Sequence, residues 1–247
     1  MNNNQAQKLN YRKGLKDGLP IGLGYLSVSF AFGVQASMLG VPVLLTALIS
    51  MTNLTSAGQL AGLPIIATAT GGVFLSLILE MIATQLVINA RYFLMSITLS
   101  QKLDKSFSLG KRFFYSMFIT DEIFAVGASQ KSVNTKYLLG LATLPYFGWA
   151  LGTILGAVAS NILPAYISDA LGIALYAMFI AIITPPSINN RGVLLTVLIA
   201  SAFSCALFFI PIFQVIPQGF KIIICALISA GIIAYVMPIK EDSQDVS

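Results

Sequence analysis

Roughly nine apolar stretches succeed one another along this chain, and Glu80, Arg91, Asp121 and Glu122 stand inside them or at their edges. Moving an ion into hydrocarbon is costly, so charges within membrane segments face a protein interior or a polar path rather than lipid. The pattern predicts an all-α, polytopic membrane protein that guards a polar interior. Composition agrees: 57% of the 247 residues are hydrophobic and 9% charged, against about 25% charged in a soluble domain. A water-soluble fold would have nowhere to hide that apolar surface.

A membrane helix needs about 20 residues to cross the hydrocarbon. Spans are expected near 19–39, 41–61, 112–130, 137–160, 169–184, 192–213 and 218–237. The stretch Leu63–Ser100 is too long for one ordinary crossing and reads as two helices joined near Ile82–Gln85, one of them short or broken. Pro185-Pro186 predicts a helix end. The total is eight or nine transmembrane or partly re-entrant helices in one membrane domain, 18–237. An N-terminal segment, 1–17, precedes it and a polar tail, 238–247, follows. A polar-interrupted segment in each half is compatible with broken helices and inverted repeats.

Lys8, Arg12, Lys13 and Lys16 precede the first span, and Lys102, Lys105, Lys111 and Arg112 form the next basic cluster. Basic flanks favour the cytoplasm, so both clusters and the N-terminus are placed there with four crossings between them. Nine crossings leave the acidic tail of Glu241, Asp242 and Asp245 outside; a re-entrant segment reverses that side. The first apolar run has no small-residue cleavage site behind it, and a cleaved leader is not expected.

Three polar constellations interrupt the apolar runs. Asn53-Leu54-Thr55-Ser56-Ala57-Gly58-Gln59 mixes amides, hydroxyls and small residues. A helix broken here frees backbone groups to hold an ion or zwitterion, as in transporters with discontinuous helices; the alternative is polar packing between helices. Gln85 and Asn89 share a helical face, and Arg91-Tyr92 follows. The planar fork of Arg91 suits a carboxylate, while an ion pair with Glu80 or Asp121 is the structural alternative. Thr120-Asp121-Glu122 supplies adjacent carboxylates, which with Glu80 are the candidates for proton coupling or gating. The substrate-path candidates are Asn53, Thr55, Ser56, Gln59, Gln85, Asn89, Arg91 and Tyr92.

Other classes find little support. The chain has no histidine, no phosphate-cradling G-x-x-x-x-G-K-[ST] run and no paired carboxylates at a recognisable catalytic spacing, so no enzyme is expected. Cys205 and Cys225 sit within apolar runs as packing residues; no metal and no cofactor is expected. The basic residues describe topology, not a nucleic-acid footprint.

Gly14 to Tyr25, with Pro20, Gly24 and Tyr25, resembles the first-helix signature of the AzlC family of bacterial branched-chain amino acid exporters. Asn89-Ala90-Arg91-Tyr92 with Met95-Ser96 is similar to its N-x-R-Y-x-x-M-S pattern, Thr120-Asp121-Glu122 to its T-D-E motif, and Trp149, Gly152 and Gly156 to its W-x-x-G-x-x-x-G pattern. The likeness covers about residues 14–185. Thr55-Ser56-Ala57-Gly58-Gln59 departs from the A-G-A-S-Q order of many members, and the extra hydroxyls bear on which cargo is carried. The resemblance implies a secondary transporter in the bacterial cytoplasmic membrane. It would export small neutral amino acids, such as valine, leucine or isoleucine, with a small AzlD-type membrane subunit; an oligomer is compatible. The competing class is a passive channel or a non-catalytic subunit of a larger complex.

Overall fold

The computed structural model describes residues 9–68 and 74–237. Among these the regular structure is helical, with one isolated bridge between Leu103 and Val133. The helices are α1 Tyr11–Met38, α2 Val43–Thr52, α3 Ser56–Ala67, α4 Phe74–Ser100, α5 Leu109–Ser116, α6 Asp121–Ala128, α7 Thr135–Ala159, α8 Ala165–Asn189, α9 Arg191–Phe209 and α10 Gln218–Val236. Among the described residues, α1, α4, α7, α9 and α10 are five helices long and apolar enough to cross a membrane. Their outer faces carry exposed Leu86, Phe93, Leu94, Leu198 and Leu227, the apolar surface that a bilayer covers.

Glycine sets the centre of the molecule. α1 and α7 lie side by side with backbones in contact, because each presents a ladder of glycines to the other. A Cβ at Gly14 would meet Leu141 N at 2.7 Å, at Gly22 the Leu144 carbonyl carbon at 2.9 Å, and at Gly33 Ala157 N at 2.7 Å. From the other side, one at Gly156 would meet the Phe30 carbonyl carbon at 2.8 Å. The pairs advance together along both helices, so the two run parallel. Asn134 fastens their entries: its Oδ1 accepts from Tyr137 N at 2.9 Å as the cap of α7, and its Nδ2 donates to Leu9 O at 2.7 Å.

The half-length helices decide the topology. α2 has 10 residues and α3 has 12, about 15 and 18 Å at 1.5 Å per residue, and neither spans a core of about 30 Å. Leu63 of α3 packs with Phe32, Ala36 and Val41, beside the start of α2. The pair is therefore a re-entrant hairpin that enters and leaves at one end of the bundle, with its tip at Asn53–Thr55. α5 and α6 repeat the arrangement from the opposite end. Ahead of α5, Asp104 N donates to Val133 O at 2.9 Å, and Thr135 N to Ser106 Oγ at 3.1 Å, where α1 and α7 begin. The order long helix then hairpin occurs twice, in opposite senses, as α1 with α2–α3 and α4 with α5–α6. This is an inverted repeat.

Several expectations are corrected. α4 is continuous from Phe74 to Ser100, with no joint near Ile82–Gln85; the apolar excess belongs to α3. Residues 112–130 form part of a hairpin rather than one crossing. α8 continues through Pro185 and Pro186 to Asn189: the prolines stand in its last turns, so little helix follows them, and the Pro186 carbonyl still accepts from Asn190 N at 3.0 Å. α9 and α10 run antiparallel, with Gly192 beside Ile233, so α10 ends at the end where α1 begins. The described chain thus finishes on its starting side; the acidic tail lies outside the described residues. Arg12, Lys13 and Lys16 and the second basic cluster also lie at that end, separated by α1, a hairpin and α4 rather than by four crossings; Lys8 lies outside the described residues. Among the described residues, every other lysine and arginine except Arg91 and Lys221 lies there too.

The α1–α7 seam gives a direct test. Gly156→Ala places a methyl against the Phe30 backbone and is expected to cost about 1–3 kcal/mol or more through overpacking. Gly231→Ala in α10 meets nothing within 4 Å and should leave the detergent melting temperature unchanged or slightly raised. Equal behaviour of the two variants would refute backbone contact.

Candidate functional site

Both hairpin tips end on a threonine that caps the returning helix. Thr55 is extended and its hydroxyl oxygen accepts from Gly58 N at 3.3 Å; Thr120 is extended and accepts from Ile123 N at 3.4 Å. Each tip is held by the long helix of the other repeat. Tyr25, halfway along α1, donates to Thr120 Oγ1 at 2.6 Å and lies against Glu122 Oε2. From α4, Asn89 Oδ1 accepts from Thr55 Oγ1 at 3.0 Å, Asn89 Nδ2 donates to Gln85 Oε1 at 2.9 Å, and Gln85 Nε2 donates to Gly58 O at 2.8 Å. This ring of amides ties α4 to the first turn of α3. A Cβ on Gly58 would crowd Gln85 Oε1 at 2.5 Å. Gln59 is 2% exposed; it donates to the Asn53 carbonyl and accepts from Trp149 Nε1 at 3.1 Å.

Charge sits on one side of this meeting point. Arg91 Nη1 pairs with Asp121 Oδ2 at 3.0 Å, and Arg91 Nη2 donates to Tyr92 Oη at 3.1 Å. The structural alternative for Arg91, an ion pair with Asp121, is the one realised here. Glu122 has no cationic partner among the described residues; the Tyr25 hydroxyl lies against it instead. The first turn of α6 carries Asp121 and Glu122, whereas that of α3 carries no acid. The opening amides of α3, on Ser56 and Ala57, have no intrahelical acceptor and present the positive end of the helix dipole.

A cavity of about 350 Å³ lies between these groups, near the lower end of the ~300–1,000 Å³ usual for small-molecule sites. Leu54 and Ser56 of the first tip, Thr120, Asp121 and Glu122 of the second, and Tyr92 of α4 line it. Pro20, Ile21, Gly24, Tyr25 and Val28 of α1, with Trp149 and Ala181, complete its mainly apolar wall. Tyr25 and Trp149 meet edge to face at 5.2 Å between ring centroids. Polar donors and carboxylates thus converge at mid-depth in a largely greasy chamber.

Of the residues singled out from the sequence, Ser56, Tyr92, Asp121 and Glu122 line the cavity. Asn53, Thr55 and Gln59 build the first tip behind it. Gln85 and Asn89 fasten that tip and face a lateral groove, while Arg91 reaches the cavity through Asp121. Glu80 lies elsewhere: 5% exposed, it accepts from Gly219 N at 2.7 Å in the first turn of α10. Tyr25, Leu54, Trp149 and the α1 stripe were not among the site candidates. A tyrosine midway along an apolar span was the available signal for Tyr25. Among the described residues no three His, Cys, Asp or Glu side chains gather as metal ligands, and both cysteines are free thiols.

Comparison with known proteins places these features in a lineage. The profile of the AzlC protein family matches residues 20–163, which include most of α1, both hairpins, α4 and α7. An uncharacterized membrane protein of Archaeoglobus fulgidus is 31% identical over 184 residues, covering 74% of this chain and 77% of that protein. The inner membrane protein YgaZ of Escherichia coli is 26% identical over 234 residues, 91% of each chain. No solved structure matches. The profile spans both tips and the cavity they enclose, and the chain is a multi-pass membrane protein of the AzlC family.

Proposed function

We propose that this protein is a secondary transporter that exports small neutral amino acids, chiefly those with branched aliphatic side chains, by alternating access. One observation carries the reading: a mid-depth cavity with a helix N-terminus free of acidic residues on one polar side, a carboxylate pair on the other, and apolar walls between. The cargo carboxylate binds at the opening turn of α3, beside Ser56, where a helix N-terminus favours an anion. Its ammonium binds Glu122, which has no cationic partner among the described residues. The aliphatic side chain lies along Ile21, Val28, Leu54 and Trp149. The inverted repeat supplies two related hairpins whose exchange of positions would open the cavity to either side.

The end rich in lysine and arginine faces the cytoplasm, which puts the N-terminus inside. The membrane is the cytoplasmic one, as named for the relative YgaZ. A small AzlD-type subunit completes the transporter, on the strength of the family resemblance. Asp121 and Glu122, which line the cavity, are the candidates for proton coupling during the cycle. A passive channel is the second reading, and the two hairpin tips that meet at mid-depth speak against a continuous pore.

Counterflow of a labelled amino-acid panel in membrane vesicles tests the reading. Accumulation of valine, leucine or isoleucine against a gradient is expected; equilibration alone would indicate a channel. Hydrogen bonds to charged groups contribute about 1.5–3 kcal/mol, so Glu122→Gln should weaken cargo binding roughly tenfold to hundredfold. It should also flatten the pH profile of flux. Unchanged profiles in both Glu122→Gln and Asp121→Asn would remove the proton role.

The Arg91–Asp121 pair makes a separate prediction. Arg91→Ala leaves a carboxylate without its partner at membrane depth and should reduce folded yield. Adding Asp121→Asn should recover much of that yield. Additive losses in a double-mutant cycle would show the two residues to be uncoupled.

A further inference from the structure

α1 holds two kinds of glycine. At Gly14, Gly18, Gly22 and Gly33 an added Cβ would strike the backbone of α7, and close packing accounts for each. Gly24 differs. A Cβ there meets nothing within 4 Å, its φ is not positive, and it lies well inside the helix, away from either cap. Glycine within a helix costs roughly 0.5–1 kcal/mol relative to alanine, so this position forgoes stability with no packing return. What the missing side chain leaves is space: Gly24 lines the cavity, between Pro20 and Val28 on the same face of α1. The second repeat is different at the matching place, for Arg91 precedes Tyr92 as Gly24 precedes Tyr25. One repeat fills that position with a guanidinium bound to Asp121, and the other leaves it empty.

We infer that Gly24 sets how large an apolar side chain the cavity accepts, and so selects branched four-carbon and three-carbon side chains over a bare methyl. The inference rests on the amino-acid reading of the cavity. It assigns the cargo side chain to the α1 wall beside Gly24, with Ile21 and Val28 as its neighbours. A methyl added to the wall takes volume from the largest cargo first. Leucine and isoleucine therefore lose more than alanine, whose side chain ends before it reaches the wall.

The test compares full-length wild type, Gly24→Ala and Gly24→Leu in native membrane vesicles, which retain any partner subunit. Counterflow of labelled alanine, valine and leucine is read beside the melting temperature and size-exclusion profile of each purified variant. Gly24→Ala should melt at or slightly above the wild-type temperature. Its leucine-to-alanine flux ratio should fall roughly tenfold, the low end of what one methylene decides in an apolar pocket. Gly24→Leu should abolish leucine flux while remaining folded. An unchanged flux ratio in folded Gly24→Ala would overturn the inference, as would destabilisation of Gly24→Ala comparable to that of Gly18→Ala, which would make Gly24 a packing glycine. If wild-type vesicles move none of the amino acids, the functional reading itself falls and takes this one with it. If wild type moves them and the ratio holds, only the role of Gly24 falls.

Discussion

Two breaks in the backbone, Asn53–Thr55 and Met117–Thr120, lie at the middle of a molecule whose outside is lipid-facing. Hydrocarbon offers no partner for an open N–H or C=O, and irregular backbone persists at that depth only inside protein or beside a polar cavity. Much of the architecture supplies those partners. The threonine caps satisfy one amide in each returning helix. The Asn89–Gln85 ring ties the first tip to α4, and Tyr25 ties the second to α1. Ser56 in the opening turn of α3 and both carboxylates of α6 line the cavity.

The α1–α7 seam makes this geometry stiff. Backbone contact through glycine gives van der Waals packing without long side chains to reorder, which is how membrane helices associate when lipid removes the hydrophobic drive between them. Trp149 on α7 and Tyr25 on α1 are positioned by that contact, and they form the wall against which both tips rest. Movement is more easily assigned to the hairpins than to the seam. Each hairpin tip is held by a few hydrogen bonds and, at Asp121, by one ion pair.

Much of this was legible in the residues. Charges inside apolar runs gave the membrane class, and the Asn53–Gln59 interruption marked a break in the second apolar run, which proved to be a hairpin tip and not a gap in one crossing. The spacing of Gln85 and Asn89 put both on one face, and Thr120-Asp121-Glu122 flagged the second tip. The path of the chain was less legible for a physical reason. Hydropathy averages over a window and cannot tell a broken crossing from two half-helices that return to the same side. The side chains that decide it, Leu63 against Phe32 and Val41, act through long-range contact. The same limit left Tyr25 and Gly24, noted only as part of the first-helix resemblance, off the list of site residues: neither is polar enough to be assigned a role before α1 is seen facing the tips.

Side-specific labelling of single cysteines tests the opposed hairpins most directly. With Cys205 and Cys225 first replaced by serine, cysteines are placed singly at Pro42, Thr68, Lys105 and Lys131. A membrane-impermeant maleimide is then applied to sealed vesicles of known orientation. Positions 42 and 68 should react from one face and positions 105 and 131 from the other. Reaction of 42 and 68 from opposite faces would make α2–α3 a broken crossing and contradict the account.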